Sequence, residues 1–441
     1  MHTNKKVNMT KSKTIKEVAE IFWQLEDKYD LINYEVDNIK LWQVLRWELF
    51  SLITKEIFKF DEAHGNSNKF HKFKQIPKML YNSIFNSAMF SRDYEVLVFP
   101  HERVRLVDNK YIDIYTNNLV KSLKEKGKNL LVLEKPCIQK HYIEKQGYIK
   151  YLDDSILYSN IVSGFAKDAI DENDNFLKSI EQNLKVLFDI NIDLIKICNA
   201  KLKTFKAYYD YYIILLKRLK PKEIYVIVSY AYPWLIKAAK ELNIRVIELQ
   251  HGAYSKYHLG YCYKKDSKLE YFPDELWVWN QYWKDLIWLP INQDNIKIYP
   301  FTYQDNEIKK YKSMTKTKNQ VVVLSQGTIS NQMAKIILNN FDFFQDKIIK
   351  YKLHPGEIQR YKNYKYLTKL LQKENVELII EGNLYQLLAT SEYQVGVYST
   401  AIYEGLEFGL KTILCNLPNI EFMENLIEQD KVYKVLYDKS I

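Results

Sequence analysis

Four short polar stretches of this chain carry side chains that can do chemistry. Gln250-His251-Gly252 places an imidazole, which can take a proton near neutral pH, beside a glycine that lets a ligand or another backbone come close. Lys352-Leu353-His354-Pro355 couples a cation and an imidazole to a proline that fixes the backbone, a combination suited to gripping a phosphate or a base edge. Ser399-Thr400 opens a helical pattern running through Ala401, Ile402, Glu404 and Leu406 to Gly409. The start of such a helix offers N–H groups and a positive dipole end to a phosphate, and Glu404, one turn in, can accept hydrogen bonds from ribose hydroxyls. Ser325-Gln326-Gly327-Thr328 also suits a phosphate, but it has neither the Lys-Ser/Thr of a P-loop nor GxGxxG spacing, so ATP hydrolysis and NAD chemistry find little support. Each stretch has an ordinary structural use as well: a turn histidine, a helix cap, a surface glutamate in a first turn.

Those stretches matter because of what precedes them. Short apolar runs at 95–99, 130–133, 223–228, 245–249, 275–279 and 295–299 read as buried strands, with helical patterns at 117–126, across 173–220 and at 233–242. A polar, lysine-rich connection at 304–319 leads into a second series, with strands at 321–324, 348–353, 376–380, 394–397 and 412–415. Strands alternating with helices predict parallel sheets, and in such sheets ligands bind beyond the carboxyl ends of the strands. All four stretches stand at such ends. Glu102, Arg103 and Arg105 follow the first strand and can grip an anionic ligand; Glu102 and Asp113 are further candidate bases.

A chain of 441 residues calls for two domains plus accessory segments. The expected division is a helical N-terminal region over 1–90, an α/β domain over 91–303, a second over 304–420 and a helical tail over 421–441. The first region holds a basic amphipathic segment in which Lys69, Lys72, Lys74 and Lys78 alternate with aromatic and aliphatic residues, a pattern that fits an anionic lipid surface or a solvated helix. No apolar run approaches the roughly 20 residues that cross a bilayer, and the N-terminus does not read as a secretion signal, so a cytoplasmic protein is expected. Cys137, Cys198, Cys262 and Cys415 show no metal or disulfide spacing. The net charge of +10 is spread among acids and forms no recognised nucleic-acid module, so nucleic acid is not an expected partner.

The ordered set Gln250-His251-Gly252, Lys352 to Pro355, and Tyr398-Ser399-Thr400-Ala401 with Glu404 resembles bacterial capsule, lipopolysaccharide and teichoic-acid transferases over roughly residues 94–416. That broad group includes Kdo transferases, polysialyltransferases and CDP-glycerol glycerophosphotransferases. The resemblance implies a GT-B fold, two Rossmann-like domains facing a cleft, and a nucleotide-activated sugar as substrate, with no cofactor and no metal. It casts Ser325, Gly327, Thr328, Lys352, His354, Pro355, Ser399, Thr400 and Glu404 as donor ligands and His251 as the base. Glu102, Arg103, Arg105 and Gln250 become acceptor contacts, the acceptor being a polysaccharide or glycolipid at the inner face of the cytoplasmic membrane. A CMP-linked donor ranks slightly ahead. Sialyltransferases carry an acidic-acidic-Gly motif ahead of His-Pro, whereas Glu381-Gly382 follows it here, which speaks against sialic acid. The alternatives are a polyol-phosphate transferase using a CDP-glycerol-like donor and a non-catalytic polysaccharide-assembly protein.

Overall fold

The computed structural model describes residues 13–60, 75–102, 104–107, 109–136, 140–264, 267–285 and 288–439. Arg103, Cys137 and the lysines at 69, 72 and 74 lie outside the described residues.

The first sheet contains seven parallel strands: β1 (Val96–Val98), β2 (Leu130–Glu134), β3 (Ile149–Tyr151), β4 (Glu223–Val226), β5 (Arg245–Leu249), β6 (Glu275–Val278) and β7 (Ile296–Ile298). Their order is β7-β6-β5-β4-β1-β2-β3. The second sheet holds six, also parallel: β8 (Gln320–Leu324), β9 (Ile348–Lys352), β10 (Val376–Ile379), β11 (Tyr393–Gly396), β12 (Lys411–Cys415) and β13 (Val432–Leu436), in the order β10-β9-β8-β11-β12-β13. Each sheet starts in the middle, builds outward one way, then reverses, which is the Rossmann order. In the first sheet the direction changes between β1 and β4, in the second between β8 and β11. Central strands such as Val321, Val322 and Val323 are buried on both faces, as a sheet covered by helices on both sides requires. The fold is therefore GT-B: two Rossmann-like domains across a cleft.

Two strands of the large sheets escaped the sequence reading, as did the short pairs Glu35–Val36/Ile39–Lys40 and Arg105–Val107/Lys110–Ile112. The three-residue β3 is too short to show a pattern. The expected helical tail is corrected as well: Glu424–Glu428 is one short helix, after which Val432–Leu436 joins the second sheet beside β12, burying Leu436. Its β-branched and aromatic residues favour the strand. The polar connection after β7 begins as an exposed helix, Thr302–Tyr311.

The N-terminal helices have no core of their own. Ile15–Lys28 starts with a capping box, Thr14 Oγ1 accepting from Glu17 N at 3.2 Å while Glu17 Oε2 accepts from Thr14 N at 2.7 Å. Its buried face (Ile15, Val18, Ala19, Phe22, Leu25) and that of Leu41–Phe58 pack with helices Asn175–Phe188 and Leu194–Leu219. Tyr257, Leu259 and Tyr271, from beyond the His251 turn, complete the same cluster. These helices thus hold a segment of the cleft wall in place.

Candidate active site

The cleft between the sheets has a volume of about 1140 Å³ and is walled by both sets of strand ends. A larger depression, about 1630 Å³, lies among helices Asp153–Phe165, Asn175–Phe188 and Leu194–Leu219. It contains no strand end, and its charged rim includes Asp168, Glu172, Lys178 and Lys185, so chemistry is sought in the cleft.

On the first domain, β5 delivers Gln250 and His251. Gln250 is buried: its Nε2 donates to Gly252 O at 2.9 Å, its Oε1 accepts from Trp279 N at 2.9 Å and its carbonyl from Trp279 Nε1 at 3.0 Å. With its amide spent inside the turn, Gln250 shapes the loop and does not line the cleft. His251 lines the cleft, its ring centroid 6.0 Å from His101 and 6.4 Å from Tyr115. His101, just past β1 at the reversal point of the sheet, escaped the sequence reading although its place after Phe99-Pro100 marks a strand end. Asp113 holds that loop, accepting from His101 N and Tyr115 N at 3.0 Å each and from Thr116 Oγ1 at 2.6 Å. Burial raises its pKa against those bonds, and it anchors the loop without lining the cleft. Glu102 does not line the cleft; its charge acts on Lys135, whose ammonium burial pushes down to about 8.

On the second domain three turns converge. His354 Nδ1 accepts from Gly356 N at 3.1 Å, and Glu357 Oε2 accepts from His354 N at 3.0 Å, so the imidazole caps its own turn. With Nδ1 an acceptor, the ring proton of the neutral imidazole sits on Nε2, making His354 a donor. Ser399 Oγ accepts from Ala401 N at 3.2 Å and caps helix Thr400–Glu407, whose positive end opens on the cleft. Lys352 also lines it, with one N–H donated to Ile380 O at 2.8 Å; burial lowers its pKa, opposed by Glu381. Pro355 starts the turn that holds His354.

The loop after β8 reaches the cleft through Ser325 and is otherwise bonded within the second domain. Ser325 Oγ donates to Glu357 Oε2 at 2.6 Å, Thr328 Oγ1 shares a 3.0 Å hydrogen bond with Tyr398 OH, and Gly327 O accepts from Arg360 Nη2. Gly327 and Thr328 do not line the cleft. The loop is a brace tying the His354 turn to the Ser399 turn. A Cβ at Gly327 would stand 3.3 Å from His354 Nδ1, so the glycine makes room for the imidazole. Gln326, whose Oε1 accepts from Tyr398 N at 3.1 Å, Glu357 and Arg360 complete the brace; their long-range partners Tyr398, Ser325 and Gly327 left no signal in the sequence around them.

The two halves meet at the motifs themselves. Thr400 Oγ1 accepts from Ala253 N at 3.2 Å, and a Cβ on Gly252 would lie 3.4 Å from the same oxygen. Arg105, exposed on the hairpin Arg105–Val107/Lys110–Ile112, lines the cleft opposite the second domain. Burial raises the pKa of Glu404, and the Arg105 charge opposes that rise, while Glu404 Oε1 accepts from Tyr385 OH at 3.1 Å. The Arg105 charge thus reaches across the cleft to Glu404 of the second domain.

At the far end Trp47, Ser255, His258 and Phe422 close the cleft. Trp47 comes from Leu41–Phe58 and stacks on His258, ring centroids 4.0 Å apart and planes within 6°. Burial depresses the His258 pKa to about 4, keeping it neutral at physiological pH. Behind His251, fully buried Glu248 accepts from Tyr261 OH, and burial raises its carboxyl to about 7. An acid with a folded pKa above its ordinary 4.5 stabilises the fold below that value, and the contribution is lost as pH rises towards 7. Urea unfolding of Glu248→Gln across this window is expected to give a flatter pH dependence than the parent, the two diverging by on the order of 3 kcal/mol above neutrality. Parallel curves would show that Glu248 does not titrate there.

No protein-family model and no curated protein matches the chain. Among solved structures it is similar to UDP-GlcNAc 2-epimerase from Methanocaldococcus jannaschii in complex with UDP-GlcNAc and UDP, at 12% identity and TM-score 0.45 over 78% of this chain and 89% of that one. It is also similar to UDP-GlcNAc 2-epimerase from Neisseria meningitidis bound to UDP-GlcNAc, at 14% identity and TM-score 0.41 over 76% and 86%. A third is trehalose 6-phosphate synthase from Burkholderia multivorans, at 10% identity and TM-score 0.40 over 78% and 87%. The fold assignment rests on the strand order of the two sheets rather than on these likenesses.

Proposed function

We propose that the protein is a glycosyltransferase that moves a sugar from a nucleotide-activated donor to a growing bacterial surface polysaccharide or glycolipid. One observation carries the proposal: His354, fixed as a donor by its own turn, and the capped start of Thr400–Glu407 face His251 across a single cleft. A phosphate fits the second domain there because the ligand crevice of such a sheet lies where strand order reverses, between β8 and β11. The helix start, His354 and Lys352 supply the positive potential, and Glu404 supplies an acceptor for ribose hydroxyls.

In the step this arrangement supports, the acceptor hydroxyl oxygen bonds to the anomeric carbon while the bond from that carbon to the phosphate oxygen breaks. The electron pair leaves with the nucleotide, whose growing charge His354, Arg105 and the helix start offset. The hydroxyl proton passes to His251, with inversion at the anomeric carbon. Trp47 and His258 offer the acceptor an aromatic wall. The donor is a nucleotide sugar, CMP-linked first by resemblance, and no cofactor is invoked.

A thermal-shift screen against CMP, CDP, UDP, GDP and ADP tests the donor half, because a ligand that binds only the folded state raises the melting temperature. One nucleotide is expected to stabilise the protein, and His354→Ala is expected to weaken that nucleotide's affinity by about tenfold or more, as loss of a charge-assisted hydrogen bond implies. A protein stabilised by none of them would point to the non-catalytic assembly reading. A CDP-glycerol substrate consumed with transfer of glycerol phosphate would point to the polyol-phosphate one.

A further inference from the structure

Helix Ile76–Phe85 is built inside out. Its inward side buries amides: Asn82 Nδ2 donates to Asp153 Oδ1 at 3.1 Å, and Asn86 Nδ2, just past the helix end, donates to Asn82 Oδ1 at 3.0 Å. Its apolar residues stand at the spacing of one helical face, positions 76, 80, 81, 84 and 85, and all point to solvent. Leu80 is 50% exposed, Tyr81 57%, Ile84 60% and Phe85 63%. The helix packs on Asp153–Phe165, which adds exposed Ile161 and an 88% exposed Phe165, and Phe90 lies close behind in sequence. Residues 63–92 contain Lys69, Lys72, Lys74, Lys78 and Arg92 and not one carboxylate. Contiguous exposed apolar surface of this kind marks an interaction site, and its pairing with cationic flanks free of acids is the composition of a segment lying in the interface of an anionic bilayer. No helix among the described residues is long and apolar enough to cross one.

We infer that the protein docks on anionic lipid through Leu80, Tyr81, Ile84, Phe85 and Phe165, the helix lying in the plane of the surface with Lys78 and Arg92 supplying charge to headgroups. The sequence reads 63–90 as one basic amphipathic segment able to lie on anionic lipid, with Ile76, Leu80 and Phe85 among its apolar residues; the structure adds that this apolar face of the helix is turned to solvent. Asn86 O accepts from Tyr151 N at 2.9 Å, joining the end of this helix to the carboxyl end of edge strand β3. That is the carboxyl-end side of the sheet, the side on which the cleft opens. Only the benefit to a lipid-linked acceptor depends on the transfer reading; docking itself does not.

Co-sedimentation of the full chain with vesicles of phosphatidylcholine alone, and of phosphatidylcholine mixed with phosphatidylglycerol, tests the inference. Binding is expected to the mixed vesicles only and to weaken with added salt. A triple variant, Leu80→Ser, Ile84→Ser and Phe85→Ser, is expected to lose about tenfold or more in partition coefficient, since each removes several buried methylene equivalents. Its melting temperature is expected to stay near that of the parent, the residues being exposed. Failure of the parent to bind mixed vesicles, or equal binding by the variant, would overturn the inference. So would a dimer in sedimentation velocity that the three substitutions dissociate without any vesicle binding, which would make the face a contact between copies of the chain.

Discussion

His251→Ala is expected to lower the rate of sugar transfer by about 10²- to 10⁴-fold, the range a positioned general base contributes, while leaving nucleotide affinity within about twofold. The asymmetry follows from placement. His251 stands on the first domain beside His101 and Tyr115, whereas the turns proposed to hold the nucleotide belong to the second, so the substitution removes the proposed proton acceptor and leaves those turns intact. His354→Ala is expected to do the reverse, weakening nucleotide binding first. Initial rates at saturating donor, paired with nucleotide titration of each variant, separate the two roles. Equal loss of nucleotide affinity in both variants would mean that His251 holds the nucleotide and is not a base.

The second large effect concerns stability. Arg46, 1% exposed, donates to Glu26 through Nε at 2.5 Å and Nη2 at 3.0 Å, to Leu259 O through Nη1 at 2.6 Å, and to Cys262 O. Its guanidinium carbon lies 4.2 Å from the Tyr263 ring centroid, and Glu26 also accepts from Trp42 Nε1 at 2.8 Å. Arg46→Ala leaves a buried carboxylate and two carbonyls without their donor, so a loss of about 3–5 kcal/mol in chemical denaturation is expected. Arg46→Met with Glu26→Leu removes both charges and is expected to recover part of that loss but not all, because the carbonyls of Leu259 and Cys262 stay unsatisfied. If the double variant is as unstable as Arg46→Ala, the ion pair is not what the fold depends on here. The same arginine pins the segment after His251 and sets its neighbour Trp47 against His258, so acceptor affinity is expected to fall along with stability.

What the sequence disclosed was local and what it concealed was long-range. Apolar runs such as 245–249 and 321–324 announce strands because both faces are buried, and a strand ending in Gln-His-Gly or leading into His-Pro marks its carboxyl edge. Two strands of the large sheets escaped, one through its length of three residues and one because a terminal run of five was read as part of a tail. Among site residues, His251, His354, Lys352, Ser399, Thr400 and Glu404 lie on the cleft, since a turn's position follows from the strand before it. Gln250, Asp113, Glu102, Gly327 and Thr328 do not line it, since which way a turn's side chains face depends on partners such as Trp279, Arg360 and Tyr398, dozens of residues away. The N-terminal helices show the same limit. Their amphipathic pattern predicts packing, but nothing local in Leu41–Phe58 reveals that Trp47 would wall a cleft shared with Phe422.

The most direct test of the central claim is a crystal structure of the full chain with whichever nucleotide stabilises it. The phosphate is expected between His354 Nε2 and the amides at the start of Thr400–Glu407, with the ribose towards Glu404 and the open side of the cleft facing His251. A nucleotide lodged in the depression among the helices of residues 153–219, or held by the first domain alone, would contradict the assignment of the second sheet as the donor site.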